Sequence, residues 1–194
     1  MSQIKIVQNY KTEIILGQSI DFVPLNEEHL QRVVELRNQD RSRYFLNQSE
    51  NLSFEKQKEW YEKYKERTDD LYWCIRNKEN IVVGTIRLYN ITDKSCNHGS
   101  FIIDEKYSFG TPYALEAQIL SLEFAFQKLK VKRIINDNRE DNIKVNSISQ
   151  RMGFHFEKEI EIRGIKYMHY ILEEKDSRTS EYKVILDQFM KRRT

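Results

Sequence analysis

The chain predicts an α/β protein of the α+β kind: one domain with a mixed, mostly antiparallel, twisted sheet and helices on both faces. Three observations predict it. Strand-like and helix-periodic segments follow one another in the order β-α-α-β-β-β-α-β-α-β-β, so hairpins dominate and one strand-helix-strand crossover brings in a parallel pair. No linker, internal repeat or low-complexity tract breaks that order. With 194 residues, 39% of them hydrophobic, the chain suits one sizeable core rather than two.

Residues 4–7, 12–16 and 20–25 are short β-rich runs separated by Asn9-Tyr10 and Gly17-Gln18, which predicts an opening hairpin and then a strand. Asn26 can cap a helix over 27–38, where Leu30, Val33 and Val34 share a face and Glu27 and Glu28 sit at the positive end. The segment 39–46 is too charged for a strand and too aromatic for an idle loop, and reads as the wall of a pocket. Ser53 can cap a helix over 54–66 that carries Gln57, Trp60, Tyr61 and Tyr64 at helical spacing. Strands over 71–76 and 81–89 flank the turn 77–80, and Gly84 marks a bulge or a close backbone approach. A polar turn at 92–97 leads to a strand at 99–103 and then to an amphipathic helix at 113–130. A strand at 131–136, a helix at 142–152 stopped by Gly153, and strands at 154–162 and 165–172 joined at Arg163-Gly164 complete the sheet. One domain is expected over residues 1–176, with 1–19 as a strand extension and 177–194 as a helical one that packs on the domain or on a partner.

Thirty-two basic and 30 acidic residues leave a formal charge of +2 with no long block of one sign, so no nucleic-acid partner is indicated. No apolar run approaches the ~18 residues of a membrane span, and the N-terminus lacks the apolar core of a signal peptide, so a cytoplasmic location without a membrane partner is expected. Cys74 and Cys96 have no CxxC or Cys/His spacing, which predicts buried free thiols and no metal.

The chemistry concentrates in residues 104–117. There a strand empties through the turn Phe109-Gly110-Thr111-Pro112 into a helix N-terminus, which aims backbone N–H groups and the positive end of the helix dipole at one point. That is an anion site. Glu116-Ala117 followed by Phe124-Ala125-Phe126, and then Asn142 ahead of Met152-Gly153-Phe154, make the chain resemble the GNAT acetyltransferase superfamily over roughly residues 20 to 173.

The resemblance implies a sheet with a splayed central strand pair and acetyl-CoA as co-substrate. It aligns the loop 109–114 with the family's pyrophosphate loop, and implies cofactor contacts from Ile102, Ile103, Phe109, Gly110, Thr111, Tyr113, Ala114 and Asn142. Phe109 stands where the family has Arg or Gln, and Pro112 replaces a Gly that supplies an N–H; the N–H groups of Gly110, Thr111, Tyr113 and Ala114 and the Thr111 hydroxyl remain. Ser149 lies four residues before Gly153, where many members place a Tyr that protonates the leaving thiolate and some protein N-terminal acetyltransferases place Ser. It is the implied general acid, with Tyr113 and Tyr170 as alternatives.

Amine acetylation also needs a base and a backbone N–H to hold the oxyanion. His98, at the mouth of the 99–103 strand, is the expected base; Glu35, Asp40, Glu161 and His169 stay open. Arg37, Asn38, Arg41, Tyr44 and Trp60 resemble the acceptor side of enzymes that acetylate amino groups of sugar nucleotides, with arginines for phosphates and aromatic rings for stacking. The expected reaction is direct transfer to a primary amine on a small molecule such as a nucleotide-linked amino sugar. The alternatives are a protein N-terminal acetyltransferase of the ribosomal-protein type, or a non-catalytic CoA-binding module. A homodimer is compatible with the sequence.

Overall fold

The computed structural model describes residues 3–192. Eight strands form one sheet in the order β1-β2-β3-β4-β5-β6-β8-β7. They are β1 (Ile15–Leu16), β2 (Ile20–Pro24), β3 (Asp70–Asn77), β4 (Val82–Tyr89), β5 (Ser95–Ile103), β6 (Arg133–Arg139), β7 (His155–Ile162) and β8 (Ile165–Glu173). All neighbours are antiparallel except β5 and β6, the crossover pair. The helices are α1 (Gln3–Tyr10), α2 (Leu30–Asn38), α3 (Asp40–Phe45), α4 (Phe54–Glu66), α5 (Tyr113–Gln127), α6 (Ile143–Arg151) and α7 (Thr179–Lys191).

Two cores lie on opposite faces of the sheet. On the first face, Trp73, Ile75, Ile86, Leu88 and Ile134 pack against Ala117, Leu122 and Ala125 of α5, with Val7 of α1 and Leu186 of α7 closing the edge. On the second, Leu30 and Val33 of α2 and Tyr61 and Tyr64 of α4 pack against Tyr72 and Cys74 of β3. Strand alternation sorts side chains between the two: 86 and 88 of β4 enter the first core, leaving Arg87 and Tyr89 to the second face.

The opening hairpin expected at 4–7 and 12–16 is absent, and so is a strand extension over its first part. Residues 3–10 are helix α1, because Val7 and Tyr10 lie one turn apart and meet the same core, with the Tyr10 ring edge-on to Phe124 at 4.6 Å. A short apolar run fits either period until packing decides. The segment 39–46, read as the wall of a pocket, contains helix α3, and its last residue, Leu46, lines a cavity. The helix expected at 27–38 opens with a 3-10 turn at Glu27–His29 before α2. Strand β6 begins later than expected because the turn that follows α5, with Lys130 at φ 56°, leaves Val131 bonded back to the Ala125 carbonyl at 3.3 Å. Helix α7 packs on the domain: Leu186 is buried and Lys183 pairs with Glu123 of α5 at 3.3 Å.

Both thiols are free and buried, and burial pushes each up to about 12. No helix among the described residues is long and apolar enough to cross a membrane.

Candidate active site

Strands β5 and β6 pair only over Ser95–Asn97 and Arg133–Ile135, although β5 runs on to Ile103 and β6 to Arg139. Beyond Asn97 they diverge, and a cleft opens through the middle of the sheet. The divergence has a local cause. Between its pairings with Arg87 and Thr85, β5 spends two residues, Ser100 and Phe101, opposite the single Ile86. This β-bulge places Ser100 at φ 47° and is locked by the Thr85 hydroxyl, which donates to the Ser100 carbonyl at 2.9 Å. Gly84 is required beside it, since a Cβ there would stand 2.2 Å from the Ile102 carbonyl oxygen. Ile102 and Ile103 follow the bulge, and their antiparallel partners on β4 leave the opposite edge of β5 to the cleft.

At the outer end of the cleft the chain turns into α5. Asp104 fixes that turn. Its carboxylate accepts from Arg32 of α2, from Gln39 Nε2 at 3.0 Å and from the Lys106 N–H at 3.0 Å. Burial works to raise its pKa, but these bonds outweigh it and hold the carboxyl below its ordinary range. Gly110 adopts φ 70°, with no heavy atom within 4 Å of the position a Cβ would take, so the loop leaves an open cradle there.

Pro112 is the N-cap of α5, and the first backbone bond into the helix runs from the Glu116 N–H to the Pro112 carbonyl at 2.9 Å. The N–H groups of Tyr113, Ala114 and Leu115 precede it and form the positive end of the helix. The Thr111 hydroxyl donates to the Tyr107 carbonyl at 2.6 Å, so its proton braces the loop rather than serving a ligand. Phe109 is 81% exposed, with the Lys144 ammonium of α6 5.3 Å from its ring centre, so α6 brings a cation to residues 109–114, which carry none. Asn142 caps α6 through its oxygen to the Val145 N–H at 3.4 Å, which leaves the amide N–H groups to face other partners.

The resulting cradle, with the cleft behind it, fits the diphosphate and narrow arm of a coenzyme A thioester. Gly110, Tyr113, Ala114 and Leu115 would hold the diphosphate, and the β5 edge the arm. Such a thioester supplies an activated acyl group.

Ser149 is 4% exposed, on the first face, and its Oγ accepts from Asn138 Nδ2 at 3.1 Å and Asn136 Nδ2 at 3.3 Å. His98 departs from expectation. It is not at a mouth but inside the first core, 3% exposed, bonded to Ser121 Oγ of α5 at 3.1 Å, and burial lowers its pKa to about 4. A ring so placed stays neutral and meets no acceptor.

On the second face, a cavity of about 370 Å³ lies between α2, α4 and the bulge, lined by Arg37, Lys56, Gln57, Trp60, Tyr72, Arg87 and Ser100 together with Leu46 and Leu52. Three cations line it and, among the described residues, no carboxylate does. Arg87 is clamped by the fully buried Asp70, with its Nε 2.8 Å from Oδ1, and lies between the rings of Trp60 and Tyr89 at 5.1 and 4.7 Å. The Tyr72 hydroxyl is buried, with Arg37 and Thr85 as its polar neighbours and no hydrogen bond of ordinary geometry to either. Burial raises its pKa against the pull of the nearby Arg37 charge.

Of the five acceptor-side residues expected from the sequence, the cavity brings together Arg37 and Trp60. Asn38 is spent on the chain, holding Leu52 by its N–H at 2.8 Å and its carbonyl at 2.9 Å. Arg41 is exposed and stacks 5.8 Å from the Phe45 ring. Tyr44 turns to the end of β6, donating to Asp141 Oδ2 at 2.5 Å beneath the Arg139 guanidinium. A larger hollow, about 590 Å³, opens at the far end of α6 from Asn142 and shares no residue with this arrangement.

The sequence did not point to Arg87 or Tyr72, nor to the structural role of the motif residue Glu116. Arg87, a charge between the apolar Ile86 and Leu88, was the available signal for the first. Glu116, 1% exposed, faces away from the cleft and gathers the Ser19 N–H at 2.8 Å, the Ser19 hydroxyl and the Gln18 N–H, so this motif residue anchors the β1–β2 turn.

The Acetyltransferase (GNAT) domain model matches residues 20–155, well over half of the sequence. The chain belongs to the GNAT acetyltransferase family. As a GNAT protein it is an acyl-CoA-dependent N-acetyltransferase, and the family's acyl donor is acetyl-CoA. The fold is shared with solved structures. An apo nucleotide-linked sugar GNAT, FdhC, superposes with a TM-score of 0.75 at 23% identity, covering 91% of this chain and 98% of its own. A spermidine N-acetyltransferase from Vibrio cholerae, in complex with CoA and spermine, gives 0.74 at 17% identity, covering 82% and 98%. A GCN5-related N-acetyltransferase from Brucella melitensis gives 0.75 at 19%, covering 89% and 84%. No curated protein matches the chain in sequence.

Proposed function

We propose that this GNAT protein acetylates a primary amine on a small anionic molecule, with a nucleotide-linked amino sugar as the acceptor class. The observation that carries the reading is the lining of the second-face cavity: Arg37, which makes no ion pair among the described residues, stands with Lys56 and Arg87, whose partners Glu50 and Asp70 lie off the lining, and the buried Tyr72 hydroxyl lies beside the Trp60 ring. Guanidinium groups suit phosphate oxygens, and an indole face suits a base or a sugar. A polyamine would meet repulsion there, and a protein N-terminus calls for an open and acidic groove. The fold shared with a nucleotide-linked sugar GNAT supports the same choice.

Acetyl-CoA lies in the β5–β6 cleft with its diphosphate at Gly110 and the first turn of α5. The amine reaches the thioester from the cavity side, at the bulge. Ser149 is the donor proposed for the leaving thiolate: two amide N–H groups occupy its lone pairs, which directs its own proton elsewhere.

Thioester consumption with acetyl-CoA and a UDP-linked 4-amino-4-deoxysugar, spermidine or an N-terminal peptide tests this. Turnover of the sugar nucleotide well above the other two is expected. Preference for spermidine or the peptide overturns it.

A further inference from the structure

The cavity and the cleft leave the amine's proton unaccounted for. Of the side chains that sequence offers as bases, four are ruled out by position. His98 is sealed in the opposite core. Glu35 pairs with Arg32 at 3.2 Å on the outer flank of α2, Asp40 is exposed at the start of α3, and Glu161 is exposed near the tip of the β7–β8 hairpin. His169 differs. It is 16% exposed on β8, directly opposite Asp137 of β6, and its Nδ1 lies 2.6 Å from Asp137 Oδ1. Its Nε2 lies 3.4 Å from Glu157 of β7, so carboxylates flank the imidazole on both sides.

Three facts bring Asp137 to the cleft. The last β5–β6 pair is Asn97–Ile135, so in parallel register Asp137 is level with Gly99, one residue before the bulge. Asp137 alternates with Ile134 and Asn136, which face the first core and α6, so its side chain belongs to the second face, where the cavity lies. Finally, the Tyr89 ring packs on Gly99, 3.2 Å from where a Cβ would stand, and Tyr89 senses the Asp137 charge: burial, then that charge, raises its pKa. Asp137 thus stands beside the bulge, while its Oδ2 has no bond to a described residue.

We propose that Asp137, braced by His169, accepts the proton that the acceptor ammonium loses before attack. This rests on the reading of the protein as an amine acetyltransferase. The ammonium sheds one proton to the Asp137–His169 pair, which passes it to water. The neutral amine forms the C–N bond as the C–S bond breaks, and its second proton ends on the departing thiolate. His169 acts through Asp137 and is a positioning residue. The charged and titratable groups facing the pair are Tyr89 from β4, Arg139 from β6, Glu157 and Lys158 from β7 and Tyr167 from β8, none of which stands nearer the bulge register than Asp137 except Tyr89, whose raised pKa disqualifies it as a base.

The experiment is the pH profile of kcat/KM for wild type, Asp137→Asn and His169→Gln, using whichever of the three amines above wild type turns over fastest, with acetyl-CoA thermal shift as the folding and donor-site control. Asp137→Asn is expected to lose about 10²-fold or more at pH 7, within the range for general-base removal. Its acidic limb should move up to the ionisation of the free amine, while the thermal shift is kept. His169→Gln should lose less, about tenfold, with its limb displaced in the same direction, and it carries the test if Asp137→Asn does not fold. A wild-type rate and limb in either folded variant overturns the proposal. Turnover of none of the amines by wild type, with the thermal shift intact, overturns the acceptor reading instead; the pair is then read by NMR, as a downfield His169 Nδ1–H resonance lost in Asp137→Asn, and its absence from wild type overturns the proposal.

Discussion

The two sides of the central cleft are built from different materials. The proposed donor side is backbone: a glycine in left-handed conformation, three N–H groups at the start of α5, and a strand edge exposed by a bulge. The proposed acceptor side is side chain: Arg37 from α2, Lys56 and Trp60 from α4, Tyr72 from β3 and Arg87 from β4 converge on one cavity. A backbone site follows from the fold and tolerates sequence change around it. A side-chain site is set residue by residue, and there one fold can be turned from one acceptor to another.

The sharpest way to probe the contrast is to remove a cation from the acceptor side. Arg87→Ala strands the fully buried Asp70 carboxylate, with only the more exposed Arg67 left at 3.2 Å. A loss of about 3–5 kcal/mol is expected, hence roughly 10 °C in Tm, read by thermal unfolding. A Tm unchanged within 2 °C or so would mean that the clamp does not hold the cavity wall. Arg37→Ala should behave otherwise, because Arg37 makes no ion pair among the described residues. Its Tm should hold, while KM for the sugar-nucleotide amine rises roughly 10- to 100-fold, the worth of a charge-assisted hydrogen bond. An equal rise in KM for acetyl-CoA would break the separation of the two sides.

The smallest effect belongs to the first core. His98 has its folded pKa depressed to about 4 from an ordinary 6.5 by burial, so the unfolded chain binds the proton more readily. The stability tied to the neutral ring is present above pH 6.5 and is lost as the pH falls toward 4. His98→Gln should therefore show a shallower fall of Tm across that window, by a few degrees, whatever its Tm at pH 7. An unchanged slope would mean that the ring is reached by solvent.

The same contrast explains what was legible in the sequence. The order of strands, the crossover and the loop from Asp104 to Ala117 could be read because turn residues and periodicity report backbone directly. The donor loop was legible for that reason even with Phe109 and Pro112 out of pattern. Helix α1 was not, since a short mix of apolar and polar residues fits two periods and only packing on a core built from distant residues such as Phe124 selects one. The acceptor cavity was legible only in part. Arg37 and Trp60 were found, but Arg87 and Tyr72 sit on strands whose inward faces look like core, and Asn38, Arg41 and Tyr44 are neighbours in sequence that the α2–α3 turn points elsewhere. His98 was misplaced because β5 begins at Ser95 and not at Gly99, so residue 98 lies inside the strand opposite Leu88 and shares the parity of the core residue Cys96.

The proposed division has acetyl-CoA held by the backbone of the cleft and not by the cationic cavity. Calorimetric titration of acetyl-CoA into wild type, Gly110→Val and Arg37→Ala decides it. A branched side chain at φ 70° costs about 1–2 kcal/mol and fills the cradle, so Gly110→Val should weaken binding about tenfold or more while Arg37→Ala leaves it within about twofold. Unchanged affinity in Gly110→Val, or a loss confined to Arg37→Ala, would contradict it.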